Sequence, residues 1–69
     1  MLELTARECD IPHSIAEGHT VRQTARTLGI AAKTVENTQA RLFRKLGARN
    51  RPAALTTAHA IGLLERVAP

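Results

Sequence analysis

Glycines and helix-capping residues divide the chain into four short segments, and this punctuation constrains the fold more than any other feature of the sequence. Gly18, Gly29 and Gly47 each follow a run of apolar residues with helical spacing, where glycine commonly ends a helix. Thr5 and Thr20 each precede a Glu or Gln by three residues, which is the spacing of a capping box at a helix start. Ala, Leu, Arg and Glu also predominate over aromatic and β-branched residues. The sequence therefore predicts an all-α fold.

The apolar spacing within each segment predicts where the helices lie. We expect four helices, at residues 6–17, 21–28, 32–46 and 51–65. Asn50 can cap the last of them. The connections are short, and no repeat, linker or low-complexity stretch separates the segments. Residues 1–69 are therefore expected to form one domain, a compact four-helix bundle with no sensor or receiver domain.

Pro12 lies in the middle of the first predicted helix. Proline lacks the N–H that would bond to the carbonyl of Glu8, and its ring clashes with that carbonyl, at a usual cost of about 3 kcal/mol. We therefore expect a kink or a broken turn near residues 8–12.

Size and composition exclude several functional classes. A chain of 69 residues buries only about 60% of its unfolded surface, which leaves little room for an enclosed substrate pocket. Cys9 is the single cysteine and the three histidines are scattered, so we expect neither a disulfide nor a metal site. No nucleophile with a base can be assembled, and no apolar run approaches the roughly 18 residues of a membrane span. We expect a cytoplasmic protein that is not an enzyme, with no cofactor, small-molecule ligand or membrane contact.

Positive charge is concentrated in one part of the chain. Residues 33–51 carry six basic side chains against Glu36 alone, a net charge of +5, whereas residues 1–19 carry four acidic side chains against one basic, a net charge of −3. A local basic segment attracts polyanions, because neutralising phosphates releases bound counterions. A merely solvated helix face is the alternative. The near absence of aromatic residues argues against stacking on single-stranded bases, so double-stranded DNA is the expected partner.

The second and third predicted helices form a recognisable pair. A short helix, a tight turn at residues 28–31 and a longer helix with a basic outer face are typical of a helix-turn-helix. A helix fits the major groove of DNA. The third helix is therefore the expected DNA-binding element.

A series of short motifs occurs in a fixed order along residues 4–64: LTARE at 4–8, AEG at 16–18, ARTLGI at 25–30, KTVEN at 33–37, RKLG at 44–47, RNR at 49–51 and GLL at 62–64. In this order and spacing the chain resembles the LuxR-type DNA-binding domain, also called the GerE or FixJ type, a four-helix variant of the helix-turn-helix found in bacterial transcription regulators. The resemblance implies major-groove binding by the third helix and dimerisation through the fourth. It also implies a separate sensor or receiver domain in most members, so this chain is expected to be an excised effector piece or a stand-alone regulator.

The chain departs from the usual pattern of this family at several positions. Pro12, Ser14 and Thr24 stand where the family usually has aliphatic residues, which makes a small core smaller. Thr38 replaces the more common His of the third helix, and Glu36 stands where the family often has a basic residue. The domain is therefore expected to be only marginally stable alone.

The outward face of the third helix supplies most of the candidate DNA contacts. Long cationic side chains on this helix are expected to bind phosphates: Lys33, Arg41, Arg44 and Lys45. Asn37 is the best candidate for a base contact, since an amide can pair with both the N6 and N7 edges of adenine. Ala40 is expected to touch a thymine methyl or to allow close approach, and Glu36 to accept from cytosine N4 or to repel phosphate. Thr20 and Thr34 begin helices and can donate to phosphate, with capping or local hydrogen bonding alone as the alternative.

A stripe on the fourth helix is the candidate dimer interface. The stripe expected to face the core contains Ala54, Ala58, Ile61 and Leu64. Leu55, His59 and Leu63 project away from it and are expected to contact a second copy of the chain. Scattered surface leucines without a partner are the alternative.

The expected function is sequence-specific binding of duplex DNA by a dimer on paired half-sites, at the bacterial nucleoid, with RNA polymerase as a further candidate partner. One alternative is a promoter-binding module like region four of a sigma factor, which shares the helix-turn-helix, although the motif order argues against it. A protein interaction or dimerisation module, whose basic face binds an acidic partner, is the alternative from another class. A gel shift with random duplex DNA at low salt separates the last alternative from the rest.

Overall fold

The computed structural model describes residues 3–64, and these residues form an all-α fold, as predicted. The helices are α1 (Ala6–Ala16), α2 (Val21–Leu28), α3 (Ala32–Leu46) and α4 (Arg51–Ala60). Helix α1 packs against α3 and α4, and α2 packs against α3. Among residues 3–64, no helix has the length and apolar character needed to cross a membrane.

The predicted caps are present at the starts of three helices. Thr5 Oγ1 accepts from the Glu8 N–H at 3.1 Å, and Glu8 Oε1 accepts from the Thr5 N–H at 2.9 Å. Thr20 and Gln23 make the same reciprocal pair at the start of α2. Asn50 caps α4 through its side chain, so local hydrogen bonding fixes where these helices begin.

Aliphatic side chains from three helices form the core. Ile11 of α1, Ala25 of α2, and Val35 and Leu42 of α3 are buried in one cluster. Half-buried apolar side chains surround this cluster. The two alanines at 54 and 58 are also buried, so the first half of the predicted α4 core stripe is confirmed.

Helix α1 continues through Pro12, so of the kink or broken turn predicted near residues 8–12 the broken turn does not occur. The proline ring is fully buried. Its missing N–H removes one hydrogen bond, at the carbonyl of Glu8, while the bonds on either side close normally, for example Cys9 N–H to Thr5 O at 3.0 Å. Burial of the apolar ring is favourable and opposes the loss of that single bond.

Helix α4 is shorter than predicted, because a glycine ends it. The helix was expected to reach residue 65, which lies outside the described residues, yet it ends at Ala60. Gly62 adopts a left-handed conformation with φ 81°, and Leu63 N–H donates to the carbonyl of Ala58 at 2.9 Å. Ile61 therefore leaves the core stripe and is 49% exposed, so its predicted place in the core is wrong.

Candidate nucleic-acid interface

A three-residue turn separates α2 from α3. Gly29 has φ 70°, and the N–H of Ile30 donates to the carbonyl of Ala25 at 3.0 Å, which closes the end of α2. Ile30 packs against the buried cluster. Ala31 is extended, and α3 begins at the next residue. The two helices and their turn form the predicted helix-turn-helix.

Helix α3 has one buried and one exposed side. Its buried stripe consists of Val35, Thr38 and Leu42. All of the α3 positions predicted to contact DNA are exposed: Lys33, Thr34, Glu36, Asn37, Ala40, Arg41, Arg44 and Lys45. We call this set the α3 outer face. Apart from Ala40, its side chains are polar, and four of them are basic.

A buried carboxylate lies where α1 meets the edge of the α3 outer face. Glu8 is 1% exposed, and its Oε1 lies 2.7 Å from Lys45 Nζ. Its Oε2 lies 3.5 Å from Arg41 Nε. The hydrogen bond from Lys45 and, after it, that from the Thr5 backbone lower the pKa of Glu8, although burial opposes this. The carboxylate is therefore ionised at neutral pH and holds two cations of α3.

The four predicted phosphate-binding cations therefore differ in their contacts: Arg41 and Lys45 are held by other groups of the protein, whereas Lys33 and Arg44 are not. Lys45 Nζ also donates to the carbonyl of Glu3 at 3.1 Å, and Arg41 Nη2 donates to Thr38 Oγ1 at 3.4 Å. The side chains of Lys33 and Arg44 make no ion pair or hydrogen bond within the described part of the chain. Sequence patterns indicated a cap at Glu8 and missed its second role, because its partners lie far along the chain.

Thr20 is exposed at the start of α2, and its Oγ1 accepts from the Gln23 N–H at 3.0 Å. The capping role considered for this residue is therefore present. The hydroxyl hydrogen remains available to a further acceptor, since the oxygen acts as an acceptor in the cap.

The predicted dimer residues lie in different environments. Leu55 is half-buried and lines a groove between the end of α1 and the start of α4. His59 is exposed, and Leu63 is half-buried in the turn after α4. Among the described residues, Ile61, which the helical pattern assigned to the core, is the exposed large apolar side chain.

The family model that describes bacterial regulatory proteins of the luxR family matches residues 2–58. Among curated proteins, the HTH-type transcriptional activator RamA of Corynebacterium glutamicum is 42% identical over 62 residues. This alignment covers 90% of the chain and 22% of RamA.

Solved structures of longer proteins contain the same fold. The response regulator ChrA of a heme-sensing two-component system superposes with a TM-score of 0.87 and 36% identity, over 93% of this chain and 32% of ChrA. VqmA of Vibrio cholerae, in a complex with a ligand and DNA, gives a TM-score of 0.86 and 33% identity, over 97% of this chain and 29% of VqmA. The VqmA dimer without target DNA gives a TM-score of 0.86 and 35% identity, over 91% of this chain and 28% of that one.

The chain spans less than a third of the length of each of these proteins. The family model covers most of the chain, and the relatives share both its sequence and its fold. The relatives are transcription regulators, a class distinct from enzymes. The chain therefore belongs to the luxR family of bacterial regulatory proteins.

Proposed function

We propose that this chain is the DNA-binding effector domain of a bacterial transcription regulator, and that α3 enters the major groove of duplex DNA. The observation that carries the proposal is the α3 outer face: every predicted contact residue on this helix is exposed, opposite the buried stripe of the same helix. VqmA, a relative of the same fold, is known in a complex with DNA. The domain would act in the cytoplasm, where bacterial DNA lies.

The main phosphate contacts would be made by the α3 cations whose side chains have no partner within the described residues. Lys33 near the start of α3 and Arg44 near its end are exposed and unpaired within the described residues, so both can bind phosphates along the groove. Arg41 keeps part of its guanidinium for the same purpose, because its side chain is 52% exposed. The hydroxyls of Thr20 and Thr34 can donate to phosphate at the helix starts.

Base contacts would come from the first half of the outer face. Asn37 is exposed and can make a bidentate contact with adenine. Ala40 lies one turn further along and presents a methyl-sized surface that can approach a thymine methyl. Glu36 can accept from cytosine N4, which makes it a selective contact, since the same carboxylate repels phosphates. These residues would give the domain its sequence preference.

Dimerisation would use the side of α4 that faces away from the core. We extend the predicted set of Leu55, His59 and Leu63 by Ile61, because an exposed isoleucine gains from burial against a second copy. VqmA, which shares the fold, is described as a dimer. A two-fold dimer would place two α3 helices on half-sites of one duplex.

RNA polymerase remains a candidate partner of the complete regulator. Such contact fits RamA, which is named as a transcriptional activator. We propose that residues 3–64 form a single DNA-binding domain.

Selection of bound sequences from a random pool of duplex DNA tests the proposal. We expect enrichment of two related half-sites with a fixed spacing, which reports sequence preference and dimer symmetry together. Recovery of unselected sequences, with no shift of random duplex in a low-salt gel, would instead favour a protein interaction module. The Asn37→Ala variant is the matched control. Because it keeps the basic charge of α3, it should still bind random duplex but should enrich the selected half-sites less.

A further inference from the structure

The Glu8 carboxylate makes more contacts than its helix cap requires. A capping box needs one carboxylate oxygen, which accepts from the Thr5 N–H. The same oxygen also accepts from Lys45 Nζ at 2.7 Å, and the other oxygen lies 3.5 Å from Arg41 Nε. Glu8 therefore has a second role directed at α3.

The geometry around Lys45 leaves little of its charge for another anion. Its ammonium donates to the buried carboxylate and to the carbonyl of Glu3. Two of its three hydrogens are thereby used within the protein. The side chains of Lys33 and Arg44, in contrast, have no hydrogen-bond or ion-pair partner within the described residues.

We infer that Glu8 is a positioning residue for α3: its carboxylate fixes the helix against the start of α1 and withholds Lys45 from DNA. The inference rests on the proposed DNA binding and deepens it, since it states which cations of α3 reach phosphates. Lys33 and Arg44 would neutralise phosphates, whereas Lys45 would hold α3 against the start of α1. Fewer phosphates would be contacted than the number of cations on α3 suggests.

The salt dependence of DNA binding distinguishes a lysine that contacts only the protein from one that contacts phosphate. Each phosphate neutralised contributes about −0.9 to the slope of log K against log salt concentration. With a random-sequence duplex as the probe, we expect Lys45→Met to leave this slope unchanged while affinity falls at every salt concentration. The matched variant Arg44→Met should make the slope shallower by about 1. An equal change of slope in Lys45→Met would overturn the inference.

Removal of the Glu8 carboxylate should make the slope steeper, which is the opposite of the change expected for Arg44→Met. Glu8→Gln keeps the shape and the cap but frees the ammonium of Lys45, so we expect a steeper slope and weaker discrimination between selected and random duplexes. Asp10→Asn is the control, because it changes the net charge equally at a half-buried site on α1 whose ion pair is with Arg7. A slope as steep in Asp10→Asn as in Glu8→Gln would assign the effect to net charge and overturn the inference.

A measurement without DNA keeps this inference distinct from the proposed function. Lys45→Met leaves the carboxylate without its closest partner, so adding Glu8→Gln to that variant should raise the urea midpoint of unfolding again. Losses that simply add in the double variant would show that the pair is not coupled and would overturn the inference. Circular dichroism of each variant establishes that it is folded before DNA is added. If the wild-type protein binds no duplex while this coupling holds, the proposed function fails and the role of Glu8 in fixing α3 stands.

Discussion

Polar side chains lie buried among the aliphatic residues of the core, and they differ in how well they are satisfied: Glu8, Ser14, Thr24 and Thr38. Glu8 has hydrogen bonds to both a backbone N–H and a lysine. Thr38 accepts from Arg41. Thr24 Oγ1 has no hydrogen-bond partner within the described residues. An ion pair with good geometry and an unsatisfied hydroxyl have opposite effects on stability, which gives two predictions at this scale.

The stability of the protein should fall in acid as Glu8 is protonated. Its pKa is held below the ordinary value of 4.5 in the folded state, chiefly by the hydrogen bond from Lys45. The unfolded chain therefore binds this proton at a higher pH than the folded chain does. The stabilisation is fully present well above pH 4.5 and is lost as the pH falls through the lower, folded value.

Urea unfolding midpoints measured from about pH 7 down to about pH 3 check this sign. The wild type should lose stability in acid more steeply than Glu8→Gln, which has no proton to take up at this site. Parallel losses in the two proteins would show that other carboxylates cause the acid sensitivity.

Replacing Thr24 by valine should stabilise the fold. Thr24 is 1% exposed, and its hydroxyl is unpaired within the described residues, so an apolar group of the same shape removes a desolvation cost of about 1 kcal/mol. Thr38→Val is the control, because that hydroxyl accepts from Arg41. Urea unfolding should show a gain for Thr24→Val and none for Thr38→Val, and equal gains would contradict the assignment.

At the scale of the helices, local signals set most boundaries. The caps at Thr5, Thr20 and Asn50 lie where the sequence predicts them, since a capping box is complete within three residues. The end of α4 differs, because the apolar spacing continues past Gly62 while the backbone turns there. A glycine therefore outweighed hydrophobic periodicity in the last turn.

The turn of the helix-turn-helix should depend on the conformation of Gly29. Its φ of 70° is costly for residues with a Cβ, although a Cβ at this position would meet no atom within 4 Å. Gly29→Ala should therefore lower the free energy of unfolding by about 1 kcal/mol, through the backbone alone. Gly29→Asn should lose less, because Asn tolerates this conformation better. Equal losses in urea unfolding would show that crowding matters instead.

The candidate site was only partly predictable from the sequence. The exposed positions of α3 follow from helical periodicity, and every predicted α3 contact residue is exposed. The ion pair of Glu8 with Lys45 joins residues that lie 37 positions apart, and local spacing rules reach about one helical turn. The sequence therefore located the surface and missed the contact that holds it in place.

At the scale of the whole molecule, the exposed end of α4 should govern self-association. Ile61→Ser removes an isoleucine that is 49% exposed. Because only about half of the roughly 1.5–3 kcal/mol of full burial remains to be gained, the change should weaken the dimer about three- to tenfold. Ala60→Ser, at an exposed neighbouring position, should have little effect. Sedimentation equilibrium measures both, and equal dissociation constants would remove Ile61 from the interface.

We propose above all that the α3 outer face binds duplex DNA, with phosphate contacts chiefly at Lys33 and Arg44 and base contacts at Asn37. The most direct test is the affinity for selected and random duplexes over a range of salt concentrations, for the wild type and for Asn37→Ala. The wild type should bind less tightly as salt rises, and Asn37→Ala should lose about 1–3 kcal/mol of discrimination while binding random duplex as before. Binding that is insensitive to salt, or an equal loss on both duplexes in Asn37→Ala, would contradict the account.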